Sequence, residues 1–285
     1  MSFVGRPNVG KSTLTNAIVG EKVAITSSKP QTTRRAIRAI KTTDHGQLVL
    51  VDLPGLHRPR TLLGQRLNDL VESNLSEVDL IAFCSPANES LGVGDRKIIA
   101  DIGNLKAKKI AVVTKVDTVS KQKLAEHLLA ISQEAEWEEI IPVSALTGEQ
   151  VELLVDLLIE KLPEGPLLYP DELVTEENDE DRICELVREA ALELVRDELP
   201  HSLAVSLDEI IEDETKPTIH ISLWVERDSQ KGIVLGKGGS MLKTIGSKAR
   251  REIQALLGHP VHLAIQVRVA KDWQTNAKQL GKLGF

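Results

Sequence analysis

The sequence predicts an α/β domain with a mostly parallel sheet, followed by a smaller α+β domain. Over the first 165 residues, short apolar runs alternate with longer helical patterns, which is typical of a parallel sheet covered by helices. Beyond them, apolar and polar residues alternate over longer stretches, which is typical of strands with one buried face. A cluster of helix breakers from Pro163 to Pro170 separates the two patterns. We therefore expect domains at 1–165 and 177–285, joined by a linker at 166–176.

Four apolar runs predict the strands of the first domain. Each is four residues long and nearly all apolar, as in strands buried on both faces: 48–51, 80–83, 110–113 and 140–143. An amphipathic helix over 151–162 then ends the domain. At the start only Phe3 and Val4 remain of the expected first strand, whereas strands usually run about five or six residues. We therefore expect a clipped N-terminus.

The second domain begins with a helical pattern from Ile183 to Leu194. Alternating residues then predict strands at 203–207, 219–225 and 261–269. Between the last two strands, a glycine-rich turn at 236–239 precedes a helix with one apolar and one basic face. The predicted order of helix, strand, strand, helix and strand describes an α+β module.

The charge distribution adds a functional indication. The net charge of −7 hides 4 basic and 18 acidic residues in 166–226, followed by 11 basic and 3 acidic residues in 227–285. Both blocks could be solvated surface, but a basic block this uneven favours a polyanion site. The acidic segment 171–181 is expected to be a solvated linker. The alternative is that its negative charge repels RNA from the wrong face of the protein, the one that does not bind RNA.

Several classes of protein and site are not indicated. No apolar run reaches the roughly 18 residues needed to span a bilayer, and the first four residues do not resemble a signal peptide. Cys84 and Cys184 lack metal-ligand spacing and are expected to be core thiols in a reducing compartment. The histidines His57, His220 and His262 also lack metal spacing.

A glycine-rich segment near the start predicts a polyphosphate site. Residues 5–12 read GRPNVGKS, which matches GxxxxGK[ST]. Glycines let backbone N–H groups converge on phosphate, and the following helix adds the positive end of its dipole. Lys11 supplies a mobile charge, and the hydroxyl of Ser12 is expected to bind magnesium. The residues expected to line this part of the site are Gly5, Arg6, Pro7, Asn8, Val9, Gly10, Lys11, Ser12 and Thr13.

Three further motifs follow predicted strands. Asp52-Leu53-Pro54-Gly55 places a carboxylate where it can reach the magnesium shell and a glycine N–H where it can sense the γ-phosphate. Thr114-Lys115-Val116-Asp117 offers Asp117 as acceptor for the paired N–H groups of guanine, which adenine cannot supply. Lys115 is expected to lie along the base, and Ser144-Ala145 to add a backbone donor to the guanine oxygen. The order and spacing therefore predict a site for GTP and GDP.

In this order the motifs resemble those of translation-factor-type GTPases. Residues 27–34 and 55–57 further resemble the switch segments of the Era family. The resemblance implies a Ras-like P-loop domain and makes Thr33 the switch threonine that binds magnesium with GTP, although Thr32 leaves the register open. Where the family usually has Asn, this chain has Thr114, so a contact that braces the loop is expected to weaken. Leu53 replaces a common Thr with little expected effect.

The position after Gly55 bears on hydrolysis. Ras-like enzymes place there a glutamine that orients the attacking water, and Leu56 cannot do so. Intrinsic hydrolysis is therefore expected to be slow. Asn8 matches an asparagine that helps hold potassium in related GTPases, and the sequence favours neither the presence nor the absence of that ion. The residues expected to act on the reacting phosphate are Lys11, Thr33, Gly55 and Asn8.

The second domain carries a candidate RNA site. Gly236-Lys237-Gly238-Gly239 resembles the GxxG loop of a KH domain, where a backbone without side chains lets sugar and phosphate approach. An isolated sequence of this kind is more often a turn. Here it opens a helix whose polar face carries basic residues: Lys243, Lys248, Arg250 and Arg251.

The arrangement resembles the type II KH domain that the Era family joins to its GTPase domain, and residues 273–285 resemble the Era C-terminus. The resemblance implies a monomer that binds near the 3′ end of small-subunit ribosomal RNA and takes part in small-subunit assembly. It also implies a cytoplasmic location, with loose association with the inner face of the membrane. A non-enzymatic RNA-binding module is disfavoured because Lys11, Ser12 and Asp52 are intact. A factor with two GTPase domains would need a second P-loop.

Overall fold

A computed structural model of the chain describes residues 1–29, 31–56, 58–195, 199–213 and 216–285. Pro30 and His57, which carry part of the resemblance, lie outside the described residues. The chain divides into two compact units: the first contains residues 1–26, 33–58 and 66–176, and the second contains residues 27–32, 59–65 and 177–285. No helix within the described ranges is both long and apolar enough to cross a membrane.

A six-stranded sheet forms the centre of the first unit, with strand order β2-β3-β1-β4-β5-β6. Its strands are β1 (Ser2–Val4), β2 (Ile37–Thr43), β3 (Gly46–Asp52), β4 (Leu80–Pro86), β5 (Lys108–Thr114) and β6 (Ile140–Pro142). Among these strands only β2 and β3 pair antiparallel, because a tight turn joins them in a hairpin. The predicted mostly parallel sheet is confirmed.

Helices cover both faces of this sheet. They are α1 (Lys11–Val19), α2 (Leu62–Leu75), α3 (Val93–Gly103), α4 (Lys121–Ser132) and α5 (Val151–Lys161), and the first residues of α2 group with the second unit. Successive residues of a strand point to opposite faces, so β4 places Leu80 and Ala82 in the apolar cluster of α1 and α5. Ile81 and Phe83 join the cluster that contains buried residues of α2, α3 and α4.

The segment 166–176, which the sequence predicts as a linker, lies against β2 in the first unit. The N–H of Ile40 donates to the carbonyl of Val174 at 2.9 Å, and Thr175 forms an antiparallel bridge with Ala39. Arg38 pairs with Glu176 at 2.9 Å. These hydrogen bonds complete the open edge of β2, so an acidic stretch that reads as solvated coil is held as an edge segment.

The second unit contains a three-stranded sheet of order β7-β8-β9, formed by β7 (Ala204–Ile211), β8 (Thr218–Val225) and β9 (His262–Val269). The pair β7–β8 is antiparallel and the pair β8–β9 is parallel. Its helices are α6 (Asp179–Leu194), α7 (Leu199–Ser202), α8 (Asp228–Leu235), α9 (Ser240–Leu257) and α10 (Ala277–Lys282). Because parallel neighbours need a long crossover, α8 and α9 occupy the connection between β8 and β9.

The predicted α+β class of the second unit is confirmed, with three helices more than predicted: α7, α8 and α10. From the sequence, 233–235 reads only as an apolar lead into the glycine turn, whereas this stretch is the last turn of α8. The helix has eight residues, of which the first four are polar and one, Val234, has a buried side chain. So short and polar a segment carries little periodic signal.

Candidate nucleotide site and candidate RNA interface

The loop from Gly5 to Gly10 connects β1 to the first residue of α1. Its backbone is held in conformations with positive φ, 155° at Gly5, 65° at Asn8 and 101° at Gly10. A Cβ on Gly5 would lie 2.7 Å from the carbonyl oxygen of Cys84, so β4 leaves no room for a side chain. The loop therefore presents its backbone N–H groups at the N-terminus of α1, which suits an anion. Thr13 lies exposed on α1, and Pro7 is half-buried.

Lys11 lies over this loop and is almost fully buried. Its ammonium donates to the carbonyl oxygens of Gly5 at 3.3 Å and Arg6 at 3.2 Å. Burial lowers the pKa of Lys11, and the carboxylate of Asp52 opposes that shift. A phosphate group would supply the negative charge that a buried ammonium lacks.

Three oxygen-bearing side chains converge beside Lys11. The hydroxyl of Ser12 donates to Oδ2 of Asp52 at 2.6 Å and lies 2.9 Å from the hydroxyl of Thr33. Thr33 is 3.4 Å from the same carboxylate oxygen. By contrast, Thr32 donates its hydroxyl to the carbonyl of Lys29 at 2.7 Å. Of the two threonines that the sequence left open, Thr33 is the one that joins the cluster.

The negative charge of Asp52 is only partly compensated by its surroundings. Asp52 is fully buried, and its Oδ1 has no hydrogen-bond partner among the described residues. Burial raises its pKa, against the hydrogen bond from Ser12 and the charge of Lys11. A hard cation prefers oxygen ligands of this kind and would compensate the buried charge. The described residues contain no group of three or more His, Cys, Asp or Glu side chains with metal-binding geometry.

The next motif packs against the phosphate loop. Leu53 is fully buried and Pro54 is buried. A Cβ on Gly55 would lie 2.8 Å from the backbone nitrogen of Pro7. Leu56 is half-buried and packs against the apolar cluster of α2, α3 and α4, where an apolar side chain is favourable.

The base-recognition motifs lie at the ends of β5 and β6. The hydroxyl of Thr114 donates to the carbonyl of Val9 at 2.6 Å. Lys115 donates to the carbonyl of Asn8 at 2.7 Å. Ser144, which is buried, donates to Oδ1 of the exposed Asp117 at 2.6 Å. Thr114 therefore retains a loop-bracing contact, although the usual family residue at this position is Asn.

One contact of the phosphate loop carries no sequence signal. The side chain of Arg6 pairs with Asp95 of α3 at 2.8 Å and with Glu89, which lies between β4 and α3, at 3.0 Å. Asp95 is 89 positions away, in a stretch without a recognised motif. Only the tertiary structure brings it to the loop.

In the second unit, the glycine-rich loop connects α8 to α9. At Gly236 a Cβ would lie 2.7 Å from the Cβ of Met241, so this position is sterically closed. Gly238 and Gly239 have φ of 61° and 79°, and no atom lies within 4 Å of a Cβ at either position. Lys237, between Gly236 and Gly238, is exposed. The loop therefore offers an accessible backbone beside a positive charge.

The four basic residues of α9 do not form one surface. Lys243, Arg250 and Arg251 are exposed, and Lys243 and Arg250 lie seven residues, or about two helical turns, apart. Lys248 is half-buried and pairs with Glu193 of α6. Three basic side chains therefore accompany the loop, and the charge of the fourth is compensated within the unit.

Comparison with known proteins supports both halves of this description. A family model described as 50S ribosome-binding GTPase matches residues 1–115, and one described as KH domain matches residues 198–274. GTPase Era of Nocardioides sp. is 56% identical, covering 100% of this chain and 95% of the relative. GTPase Era of Mycolicibacterium smegmatis is 56% identical, covering 99% and 97%.

Two solved structures share the fold over nearly the full length. One is Era in complex with MgGDPNP and nucleotides 1506–1542 of 16S ribosomal RNA, with 34% identity, a TM-score of 0.96 and coverage of 99% of this chain and 97% of the other. The second is a variant of Aquifex aeolicus Era bound to GDP and AlF4⁻, with 34% identity, a TM-score of 0.95 and the same coverage. The chain therefore belongs to the Era family of GTPases, in which a KH domain follows the GTPase domain.

Proposed function

We propose that this protein is a GTP-hydrolysing switch that binds small-subunit ribosomal RNA near its 3′ end and assists assembly of the small subunit. The observation that carries the proposal is the convergence of Ser12, Thr33 and Asp52 beside the buried Lys11. The related Era bound to MgGDPNP and a 16S fragment supports the same ligands for this chain.

The phosphate site works through charge. The N–H groups of residues 5–12 and the ammonium of Lys11 bind the β- and γ-phosphates. The oxygens of Ser12, Thr33 and Asp52 hold magnesium, which when bound neutralises charge that develops on those phosphates. The N–H of Gly55 contacts the γ-phosphate. When hydrolysis removes the γ-phosphate, this contact is lost and the segment after Gly55 is released.

Hydrolysis without a partner is slow because Leu56 cannot orient the attacking water. Potassium held by Asn8 would supply positive charge near the reacting phosphate. Hydrolysis should then run faster in potassium than in sodium, and Asn8→Ala should remove the difference. Equal rates of the wild-type protein in the two salts would exclude this role of Asn8.

Guanine is selected at the other end of the site. Asp117 accepts from the two N–H groups on the guanine edge, and its hydrogen bond from Ser144 fixes the carboxylate. Lys115 lies along the base, and Ala145 supplies a backbone donor. Asp117→Asn should weaken GTP binding about a hundredfold or more and improve binding of xanthosine triphosphate, whose base offers an acceptor. Unchanged GTP affinity would remove Asp117 from the site.

RNA binding is assigned to the loop of residues 236–239 and to the exposed basic side chains of α9. The backbone of the loop approaches sugar and phosphate, while Lys237, Lys243, Arg250 and Arg251 neutralise charge. The proposal places the protein in the cytoplasm as a monomer. Peripheral association with the inner face of the membrane is part of the family resemblance alone.

Crosslinking to total RNA with GDP and with a non-hydrolysable GTP analogue tests the whole proposal. Small-subunit 3′-end fragments should be enriched, and the enrichment should differ between the two nucleotides. A protein that hydrolyses GTP but crosslinks to no RNA would leave a GTPase with another partner. RNA binding without any GTP binding would leave an RNA-binding module.

A further inference from the structure

A buried carboxylate outside the three-oxygen cluster contacts a residue of the phosphate loop. Asp95 stands in the first turn of α3 and is fully buried. Its Oδ1 accepts from Nε of Arg6 at 2.8 Å, and its Oδ2 accepts from the N–H of Gly92 at 2.8 Å. A buried carboxylate is costly unless it is paired and hydrogen-bonded, so Arg6 is held firmly where Asp95 places it.

Arg6 connects this carboxylate to the phosphate loop. Its carbonyl oxygen accepts from the ammonium of Lys11 at 3.2 Å. The side chain crosses the start of α3 closely, because a Cβ on Gly94 would lie 3.2 Å from Cδ of Arg6. Arg6 is therefore fixed by its side chain, which bonds Asp95, and contacts Lys11 through its backbone carbonyl.

A second carboxylate, that of Glu89, bonds the same guanidinium but is exposed to solvent. Glu89 accepts from Nη2 of Arg6 at 3.0 Å, and its side chain is 47% exposed. The bond to Asp95 is the main cause that raises the pKa of Arg6, ahead of the bond to Glu89. Exposed pairs contribute little because water competes for both partners. Glu89 is therefore a matched control for Asp95.

We propose that Asp95 is a positioning residue for the phosphate-binding loop. Through Arg6 it sets the position of the loop backbone and of Lys11, without contact to the nucleotide. The inference rests on the proposed nucleotide site and adds α3 to the elements that shape it. We expect a larger effect at the phosphate end than at the base, because the carboxylate of Asp117 bonds Ser144, outside the loop.

The test compares affinities for GDP and GMP, measured by calorimetric or competition titration of the full chain with magnesium. GDP uses the loop for its β-phosphate and GMP does not, whereas both use the base contacts. Asp95→Asn keeps the shape and one of the two hydrogen bonds but loses the charge. We expect the ratio of GDP to GMP affinity to fall about tenfold in Asp95→Asn. Glu89→Gln should change it by less than about twofold.

A purely structural role would lower the melting temperature without changing this ratio. An unchanged ratio in a folded Asp95→Asn protein would overturn the inference, as would an equal fall in Glu89→Gln. If Asp95→Asn does not fold, Arg6→Gln removes the same bond from its half-exposed partner and is judged by the same ratio. A wild-type protein that fails to bind GDP would instead refute the proposed function.

Discussion

The two glycine-rich loops that precede α1 and α9 are both proposed to bind phosphate groups, but they are built differently. The loop at 5–10 is closed in by its surroundings: β4 contacts Gly5, the hydroxyl of Thr114 reaches the carbonyl of Val9, and Asp95 holds Arg6. In the loop at 236–239, Gly236 is closed in by Met241, but Gly238 and Gly239 are open, with no atom near the position of a Cβ.

The difference follows from the ligands. A nucleotide phosphate is small and must be surrounded, so the first loop depends on residues from distant parts of the chain. An RNA backbone is long and approaches from outside, so the second loop depends mainly on its own backbone conformation. Substitutions should therefore damage fold and binding together in the first loop, and binding more than fold in the second.

The largest expected effect comes from Gly5→Ala. The new Cβ would lie 2.7 Å from the carbonyl oxygen of Cys84, and φ of 155° is unfavourable for alanine. The free energy of unfolding should fall by about 3 kcal/mol or more, with loss of GDP binding. Gly239→Ala is the control, since it adds a Cβ in open space at φ of 79° and should cost about 1 kcal/mol. Denaturant unfolding of both variants measures this, and equal costs would contradict the comparison.

Gly238→Asp should lower RNA affinity at least about tenfold, or about 1.4 kcal/mol, because it places a carboxylate at the proposed contact with the RNA backbone. Gly238→Asn is the matched control, because Asn also tolerates φ of 61° but carries no charge. GDP binding should persist in both variants. Filter binding of a single-stranded RNA with the small-subunit 3′ end measures the affinity, and circular dichroism checks the fold. A folded Gly238→Asp protein with wild-type RNA affinity would refute the KH site.

Thr114→Val tests a smaller brace in the first loop. It keeps the shape but removes the hydroxyl that donates to Val9 at 2.6 Å, leaving a carbonyl without that donor. We expect a loss of about 1 kcal/mol in unfolding free energy and a faster dissociation of GDP. Thr114→Asn, the usual family residue, should retain slow dissociation if Asn reaches the same carbonyl. Fluorescent GDP release measures both, and wild-type release from Thr114→Val would show that the hydroxyl contributes nothing.

The smallest expected effect separates two lysines of α9. Lys243 is exposed, whereas Lys248 pairs with Glu193. Lys243→Gln should therefore reduce the slope of log affinity against log salt by about one, and Lys248→Gln by less. RNA titrations over a salt series compare them. A larger change in Lys248→Gln would place the RNA on the opposite side of α9.

Much of the nucleotide site was predictable because its motifs are local. The glycines of residues 5–10, Asp52 after β3 and Asp117 after β5 each follow a strand end, and strand ends of a parallel sheet meet at one edge. The basic block after residue 227 likewise indicated a polyanion site. The weak elements were missed: β2 mixes apolar and polar residues at an edge, and α8 is short.

By itself the sequence determined the fold class, the order of the two domains and the residue types that suit phosphate, guanine and RNA, because these depend on periodicity and short motifs. Only the tertiary structure decided the contacts between distant residues. It placed Thr33 rather than Thr32 beside Asp52, gave Thr114 its partner on Val9, and brought Asp95 to Arg6. It also laid residues 166–176 along β2 and paired Lys248 with Glu193. Such contacts depend on which side chains the packed strands and helices bring within hydrogen-bond distance, and no local pattern encodes that distance.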